Sequence, residues 1–539
     1  MNEGSITRTI ERVAREIGGR TFALVAGFAV FVWVQAIVNL SLTADDLARI
    51  LPPRSERANG LRLGRWVHYY VNQIAFDIPY AHAFSGTFIT VGFATLALVI
   101  AYKAGLHKKR LLVLVFGGLV VANPIIAEAI VFKLHHLPLG IGIFMAALTA
   151  LLLPHLDATE RTPRIHLVVA GAALVITTAS YQGIVPMMVT GLLGAQMVRY
   201  VRSDDPDRRP LRLRPMLEII VTFILSGIIY VISFQLTLAW GSDRESGSTR
   251  YNPEDTRIRW SFIKREMARL YDFWTDATFT YPQWTKLVFI ALAVAAVVAG
   301  AVRVGRSVNA GAQRLVGPAF LLFAMLAVHI IPFIILFVRE EPVTRYNVIM
   351  GVCMVPAVIF AMFYVSVIEP SPDGFKRLST QWTVAIVALV VFTFGLSISR
   401  SLTALELGQQ RTLSLATRVL DRIEQNPGYQ TLTADTRARE VPIAFIGNFT
   451  RPDDRFPLPE ANDGWFTVTS CQGPPCQIER LADNLSLISL DGTRFMWTNR
   501  GQADIENNIE ELAPDMPNWP APGSVKVLRG TVVVKGPRS

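Results

Sequence analysis

Long apolar runs dominate this sequence and restrict its fold more than any other feature. Each run is close to the length needed to cross a hydrocarbon core roughly 30 Å thick, which takes about 20 residues of helix. The composition agrees, because 51% of the residues are hydrophobic and only 17% are charged. Soluble globular proteins do not have this balance, so we expect an α-helical polytopic membrane protein. About eleven transmembrane helices are predicted, near residues 21–40, 82–102, 111–132, 137–154, 166–180, 182–200, 216–239, 285–302, 315–337, 346–368 and 381–399.

Lysines and arginines in the short loops predict the orientation of the chain. When the crossings alternate, the basic segments all fall on one side, and the positive-inside rule makes that side cytoplasmic. The first apolar run has no signal-peptide cleavage pattern, so we expect it to remain as an anchor behind a cytoplasmic amphipathic segment, 1–20. The basic segments are the amino terminus, 102–110, 199–214 and 303–314.

An odd number of crossings puts the carboxyl-terminal part of the chain on the outer side. A membrane domain, 21–400, with outer loops 41–81 and 241–284, is then followed by an outer domain, 401–539. This tail is long enough to form a small domain, and its patterns predict an α+β fold. The expected elements are a helix over 402–424 and strands at 441–449, 464–470, 485–490, 494–498 and 524–535.

Two of the three cysteines, Cys471 and Cys476, lie in the tail as "CQGPPC". An oxidising outer compartment would allow them to close a small disulfide loop, which is the interpretation we favour. Two free thiols are the alternative. A zinc site would need further cysteine or histidine ligands that the tail lacks.

The outer loops contain more arginines than the charge rule predicts. A guanidinium binds phosphate through paired hydrogen bonds and stays charged at any relevant pH, so the outer surface is expected to handle an anion. The net charge of +10, in a membrane protein, favours anionic lipid or phosphate over nucleic acid as that partner. For most of these arginines, pairing with nearby acids or lipid headgroups is sufficient explanation. Arg62, Arg65 and Arg345 are the exceptions, because each adjoins an apolar or aromatic run that holds it near the membrane plane.

The adjacent carboxylates Asp45 and Asp46 follow the first apolar run. Neighbouring side chains point about 100° apart on a helix, so both cannot serve one small reacting centre. We expect one to do chemistry while the other orients an arginine or caps the segment "DLARIL". The alternative is that the pair only compensates the dipole at the start of a helix.

Five segments, in this order and on the outer side, resemble one family. They are "LTADDLAR", "GLRLGRWVHYYVNQI", "ANPIIAEAIVF", "ASYQGIVP" and "EPVTRYNVIMG". The chain from Thr21 to about Arg400 is similar to the bacterial O-antigen glucosyltransferases of the phage serotype-conversion type II family, which are polytopic GT-C glycosyltransferases. It departs from the family pattern after "NPIIAE", where Phe132, His135 and His136 stand in place of a Tyr and an Asp. This change leaves the identity of the transferred sugar open.

The resemblance implies transfer of a sugar from a polyprenyl-phosphate donor to a hydroxyl of a cell-envelope glycan or glycolipid, with inversion. It also implies a bacterial inner membrane location with a periplasmic tail. The residues fit this reaction independently, because a carboxylate can act as general base while arginines stabilise the phosphate leaving group. The expected catalytic residues are Asp45 and then Asp46, and the expected phosphate ligands are Arg65, Arg345 and, in reserve, Arg62. Sugar or acceptor contacts are expected from Glu128, Tyr181, Gln182, His68 and His135.

Other assignments remain open for some of these residues. Glu128 is equally well explained by a pair with Lys133 or a histidine. The neighbouring imidazoles of His135 and His136 diverge and lack a carboxylate-rich ligand set, so no obligatory metal or other cofactor is expected, although Asp45, Asp46 and Glu128 leave a divalent ion open. The aromatic and basic stretch 259–284 predicts an interfacial amphipathic helix that could wall a groove for a polyprenyl tail.

Two other classes of function compete with an enzyme. A transporter or flippase of lipid-linked saccharides should carry charged groups near the bilayer midplane and inverted repeats. Most runs here have no interior charge, and none mirrors another. A non-catalytic envelope assembly protein would have no need for the acid and arginine set, and loss of Asp45 would then be harmless. The sequence does not specify the acceptor, the linkage or the oligomeric state.

Overall fold

The structure is a computed structural model that divides the chain into two compact units. The first is helical and ends at Ser399, and the second contains Arg400–Ser539. The residues it describes are 4–39, 64–76, 82–203, 211–240, 260–275, 282–307, 313–335, 349–435, 440–446, 481–482, 484–486, 488–489, 493–497 and 516–536.

Helices form nearly all of the described part of the first unit. Short 3₁₀ segments join several of them, and a π-helical turn, Tyr364–Ile368, ends the span that contains α14. In chain order the helices are α1 Gly4–Ile17, α2 Gly19–Val38, α3 Trp66–Phe76, α4 His82–Lys103, α5 Arg110–Val121, α6 Ala127–Val131, α7 His136–Leu152, α8 Arg164–Ser180, α9 Ile184–Arg202, α10 Leu213–Trp240, α11 Trp260–Thr275, α12 Gln283–Ser307, α13 Gln313–Ile330, α14 Met354–Phe363 and α15 Asp373–Glu424.

The membrane fold is confirmed, but the expected count of eleven spans is too high. Among the described residues, eight helices are long and apolar enough to cross a membrane, or nine if the bent pair Arg110–Val121 and Pro124–Val131 is one span. The other two windows fall on α7 and α8, which have 17 residues each. At a rise of 1.5 Å per residue, such a helix is only about 25 Å long, which is short of the hydrocarbon thickness.

Charged residues gather at one end of the helical unit, which we call the basic end. Glu369 follows the π-helical turn, and its Oε1 accepts hydrogen bonds from Lys109 Nζ at 2.5 Å and Arg202 Nη2 at 3.1 Å. Arg303 donates to the carbonyl oxygen of Val365 at 2.8 Å. Three of the predicted basic segments therefore meet here, which agrees with the expectation that they share one side.

Electrostatic effects at the basic end have clear causes. Partial burial acts to raise the pKa of the Glu369 carboxyl, but the hydrogen bond from Lys109 and the charges of Arg202, Lys109 and Arg303 together lower it below its ordinary value. Burial, reinforced by the charges of Lys103 and Arg199, lowers the pKa of His155 to about 2. His155 is therefore neutral at physiological pH.

At the opposite end, several helix termini meet around the end of α2. Lys133 Nζ donates to the carbonyl oxygen of Ala36, and His82 Nε2 lies 3.1 Å from the carbonyl oxygen of Val38. About one turn before Ala36 in α2, Trp33 Nε1 donates to the carbonyl oxygen of Val121 at 2.8 Å. The first two contacts provide partners for the carbonyl groups of Ala36 and Val38 in the last turn of α2, beyond which no helical N–H follows.

Burial separates a central helix from helices that face lipid. The span Met350–Ile368 is 89% buried, whereas Leu213–Thr237 in α10 is only 11% buried. The central span packs closely on α9, because a Cβ at Gly194 would lie 2.2 Å from Val358 Cγ2. Exposed aliphatic side chains on α10 match the chemistry of a bilayer interior.

The second unit contains a mixed four-stranded sheet that packs on the carboxyl-terminal part of α15. Its strands are β1 Glu440–Ile446, β2 Arg494–Trp497, β3 Val525–Leu528 and β4 Thr531–Lys535, in the order β2-β1-β4-β3. Strand β1 is parallel to β2 and β4, and β3 and β4 form a hairpin whose turn residues, Arg529 and Gly530, both have positive φ. Val419 and Ile423 of α15 pack with Phe445 and Val534 in the core.

Three of the predicted strands are confirmed in this unit and one is wrong. The runs 441–449, 494–498 and 524–535 contain β1, β2 and the β3–β4 hairpin. In the run 485–490, Leu485, Ser486 and Ile488 are helical and no described residue is a strand, and Leu485 is fully buried in the core. A further helix, α16 Pro427–Asp435, follows α15. The run 464–470, Cys471 and Cys476 lie outside the described residues.

Candidate active site

Arg65 is the centre of a polar cluster at the end of the helical unit opposite the basic end. It immediately precedes α3, and its Nε donates a hydrogen bond to Gln182 Oε1 at 3.2 Å. Its guanidinium carbon lies 4.2 Å from the centroid of the Tyr181 ring, which is a cation–π contact. Three of the predicted site residues are therefore brought together, although Arg65 is 117 residues from Gln182 in the sequence.

A break between two helices positions Tyr181 and Gln182. Helix α8 ends at Ser180, and Tyr181 adopts an extended backbone with φ −164° and ψ 120° while its N–H still bonds to the carbonyl oxygen of Thr177. Helix α9 begins at Ile184. The break turns the aromatic ring and the amide toward Arg65, whereas a continuous helix would point neighbouring side chains about 100° apart. Since α9 ends at the basic end with Arg202, its first residues lie at the opposite end.

Tyr230 of α10 completes this cluster, and sequence analysis missed it. Its hydroxyl accepts a hydrogen bond from Gln182 Nε2 at 3.1 Å and donates one to the carbonyl oxygen of Gly64 at 3.0 Å. Gly64 has φ +74°, and a Cβ there would lie 2.1 Å from the Tyr230 hydroxyl oxygen. The only signal in the sequence was one phenol within the apolar run 216–239.

Two of the predicted histidines also meet. His68 belongs to α3, whose amino-terminal end follows Arg65, and both His68 and His135 are buried. Their ring centroids are 4.5 Å apart at an interplanar angle of 69°. Phe132 lies 5.3 Å from His135, centroid to centroid. This buried aromatic group contains rings and ring nitrogens of the kind that contact sugar rings and hydroxyls.

Glu128 lies on α6 and is almost completely buried. Lys133, one of its possible partners, donates to the carbonyl oxygen of Ala36. His136 Nε2 lies 2.6 Å from the carbonyl oxygen of Ile130. An ionisable group buried in a membrane protein is by default a candidate for function, so Glu128 stays a candidate.

The remaining predicted site residues lie outside the described part of the chain. They are Asp45, Asp46, Arg62 and Arg345. The chain leaves α2 at Asn39, six residues before Asp45. Within the described ranges, no group of three or more His, Cys, Asp or Glu side chains could hold a metal ion.

The arrangement around Arg65 is suited to binding phosphate. Gln182 engages the Nε edge of the guanidinium and Tyr181 covers its face, so the side chain is held in one orientation. The forked terminal nitrogens of an arginine are the atoms that bind a phosphate group through two parallel hydrogen bonds. A fixed guanidinium loses less conformational entropy on binding than a mobile one.

Comparisons with known proteins identify the family to which the chain belongs. No curated protein and no solved structure matches the chain significantly. The family model described as Glucosyl transferase GtrII matches residues 35–394. The match spans more than half of the 539 residues and includes Arg65, Tyr181, Gln182 and Tyr230. The chain therefore belongs to the GtrII glucosyl transferase family and is a membrane glucosyltransferase.

Proposed function

We propose that this protein transfers a glucosyl group from a polyprenyl-phosphate donor to a hydroxyl of a cell-envelope glycan or glycolipid. The observation that carries the proposal is the guanidinium of Arg65, held by Gln182 and Tyr181 at the end of the helical unit opposite the basic end. A donor with a phosphate headgroup and a lipid tail needs a cation at the membrane boundary. Arg65 meets that requirement, with Arg345 and Arg62 as further phosphate ligands.

The proposed reaction is a single displacement with inversion. The acceptor hydroxyl oxygen attacks the anomeric carbon while the bond from that carbon to the phosphate oxygen breaks. Asp45 takes the hydroxyl proton as general base, and polyprenyl phosphate leaves with its additional negative charge stabilised by the arginines. Asp46 orients an arginine or exchanges roles with Asp45.

Sugar and acceptor recognition is assigned to the polar and aromatic groups near Arg65. Tyr181 and Gln182 contact Arg65, the proposed ligand of the phosphate. His68, three residues after Arg65, and its neighbour His135 provide ring edges and nitrogen atoms. Glu128 is placed in the same role. Since the family is a glucosyl transferase family, glucose is the first sugar to test, although Phe132, His135 and His136 depart from the pattern that we expect of the family.

The proposed location is a bacterial inner membrane with the basic end in the cytoplasm. The convergence of Lys109, Arg202 and Arg303 supports this orientation through the positive-inside rule. Lys376 donates to the carbonyl oxygen of Glu369, so the span Lys376–Thr403 begins at the basic end. One more crossing then brings the tail after Arg400 to the periplasm, where Cys471 and Cys476 can form a disulfide.

The proposal is tested by a transfer assay on purified protein in nanodiscs. Labelled polyprenyl-phosphate sugars, including glucose, are offered with cell-envelope extract as acceptor. Wild type is compared with Asp45→Asn, Asp46→Asn and Arg65→Ala, and Arg214→Gln serves as the matched control because Arg214 is exposed and pairs with Glu218 at the basic end. We expect glucose transfer by wild type and the control, loss of turnover in Asp45→Asn, and a raised donor KM in Arg65→Ala.

Each other outcome has a definite meaning. If Asp46→Asn alone abolishes transfer, the general base is Asp46 instead of Asp45. If wild type transfers glucose and both Asn variants equal it, neither aspartate is the general base. If no donor in the panel is consumed, the assignment of a polyprenyl-phosphate donor fails. Movement of an intact lipid-linked saccharide across a liposome bilayer would then favour the transporter interpretation.

A further inference from the structure

Tyr230 occupies an unusual position for a polar contact in a membrane helix. Helix α10 faces lipid along most of its length, and Ile228, Ile229 and Ile232 beside Tyr230 are about half exposed. The hydroxyl of Tyr230 nevertheless makes two hydrogen bonds, one to the carbonyl oxygen of Gly64 and one from Gln182. Gly64 precedes Arg65 in the chain, and Gln182 is the hydrogen-bond partner of the Arg65 side chain. A helix that mainly contacts lipid thus contributes one hydroxyl to the candidate active site.

We propose that Tyr230 is a positioning residue that sets the affinity for the donor phosphate by holding Arg65 in its binding orientation. The proposal rests on the proposed function, in which Arg65 binds that phosphate. Tyr230 acts through two routes, one along the backbone and one through a side chain, and both end at Arg65.

The backbone route runs through the peptide bond between Gly64 and Arg65. The carbonyl oxygen that accepts from Tyr230 and the amide nitrogen of Arg65 belong to the same planar peptide unit. Fixing that oxygen therefore fixes the plane from which the Arg65 side chain departs. Only glycine fits at position 64, because its φ is +74° and a Cβ would lie 2.1 Å from the Tyr230 hydroxyl oxygen.

The side-chain route runs through the amide of Gln182. A glutamine amide has a donor end and an acceptor end. Because the Nε2 group donates to Tyr230, the Oε1 atom points toward Arg65 and accepts from its Nε at 3.2 Å. Without the Tyr230 hydroxyl, the amide could rotate and present its donor end to the guanidinium, which would lose this hydrogen bond.

The position of Tyr230 depends in turn on how α10 packs. One turn before it, Ser226 donates to the carbonyl oxygen of Gly171 in α8 at 3.1 Å. Tyr181 directly follows α8, so α10 and the Tyr181–Gln182 break share one support. The lipid-facing position of α10 also suits a donor whose tail remains in the bilayer while its phosphate meets Arg65.

The test removes the hydroxyl while keeping the ring, as Tyr230→Phe. Thr237→Ala and Ser233→Ala are matched controls. The hydroxyl of Thr237 bonds to the backbone carbonyl of Ser233, and that of Ser233 bonds to the backbone carbonyl of Tyr230 and not to its phenol. Steady-state transfer is measured with polyprenyl-phosphate glucose. We expect Tyr230→Phe to raise the donor KM by roughly 3- to 10-fold, the effect of one hydrogen bond, with kcat and the acceptor KM nearly unchanged.

A double variant distinguishes positioning from a general loss of structure. If Tyr230 acts through Arg65, Tyr230→Phe should add little to the donor KM of Arg65→Ala, because coupled residues are not additive. Additive effects would overturn the proposal. The proposal would also be overturned if Tyr230→Phe had the same donor KM as the two controls while Arg65→Ala raised it. In that case the proposed function would be retained without a positioning role for Tyr230.

A binding measurement keeps the inference testable if transfer is not observed. Polyprenyl phosphate without a sugar is added, and thermal stabilisation of each protein is followed. We expect stabilisation of wild type, Ser233→Ala and Thr237→Ala, and a weaker shift for Tyr230→Phe and Arg65→Ala. If wild type is stabilised and Tyr230→Phe is stabilised equally at every concentration, the positioning role is excluded. If wild type itself is not stabilised, neither Arg65 nor Tyr230 serves a donor phosphate.

Discussion

At the scale of single residues, a partly buried carboxylate at the basic end is expected to stabilise the helical unit. Glu369 alone receives Lys109 from the start of α5 and Arg202 from the end of α9, so one carboxylate joins three segments. Replacing it with the isosteric amide in Glu369→Gln leaves both cations without their anion. We expect a loss of on the order of 2 kcal/mol in stability at pH 7, measured as a lower midpoint of thermal unfolding in detergent.

The pH dependence of the same residue has a defined sign. Because the pKa of Glu369 is lowered in the folded state, its contribution is fully present above the unfolded pKa of about 4.3. It is lost as the pH falls from there through the lower folded pKa. Glu369→Gln should therefore lower the stability of the protein at neutral pH. In acid, the stabilities of the variant and of wild type should move closer together. Glu218→Gln, which breaks an i,i+4 pair with exposed Arg214, is the control, and an equal effect of the two would contradict the prediction.

Helix packing explains a contrast between two glycines of transmembrane helices. A Cβ at Gly194 of α9 would meet Val358 at 2.2 Å, whereas nothing lies within 4 Å of a Cβ at Gly227 on lipid-facing α10. Gly194→Ala should therefore cost about 1–3 kcal/mol through overpacking. Gly227→Ala should be neutral or should stabilise by up to about 1 kcal/mol. Thermal unfolding of the two variants checks this, and equal midpoints would show that α9 and α14 pack less closely.

Helices and strands could be predicted where their length and burial produce a simple pattern of apolar residues in the sequence. All eleven apolar windows fall on helices, because apolar length is a strong signal. The windows over α7 and α8, 137–154 and 166–180, were themselves shorter than the roughly 20 residues of a full crossing, and the two helices have 17 residues each. The count of eleven was too high because it included both. The run 485–490 was misassigned as a strand because a short apolar run fits a buried helix equally well.

At the scale of the whole molecule, the candidate site depends on contacts that no local pattern encodes. The resemblance to a family pointed to Arg65, Tyr181 and Gln182 one by one, but Arg65 and Gln182 are 117 residues apart. Tyr230 adds a third segment, and only the packing of α10 against α8 brings it to Gly64. The sequence therefore predicted members of the site, and the fold was needed to find the residue that connects them.

The number of spans also determines where the carboxyl-terminal unit lies. Eight spans would return the tail to the side of the amino terminus, whereas nine would carry it across. Since the bent pair of α5 and α6 leads from Lys109 at the basic end to Lys133 at the opposite end, we expect it to count as a crossing. The total is then odd, and Arg529 on the β3–β4 turn should lie outside while Lys108 lies inside.

Single cysteines and a membrane-impermeant maleimide can test this topology in intact cells of a bacterial host whose outer membrane admits the reagent. Arg529 and Lys108 are both exposed in their own units, so Arg529→Cys and Lys108→Cys should react equally well once the cells are opened. In intact cells, only Arg529→Cys should be labelled above the parent protein. Labelling of both only after permeabilisation would mean an even number of spans and a cytoplasmic tail. In that case the tail could not contact an acceptor on the outer face, and any part it plays in transfer would have to be exerted from the cytoplasm.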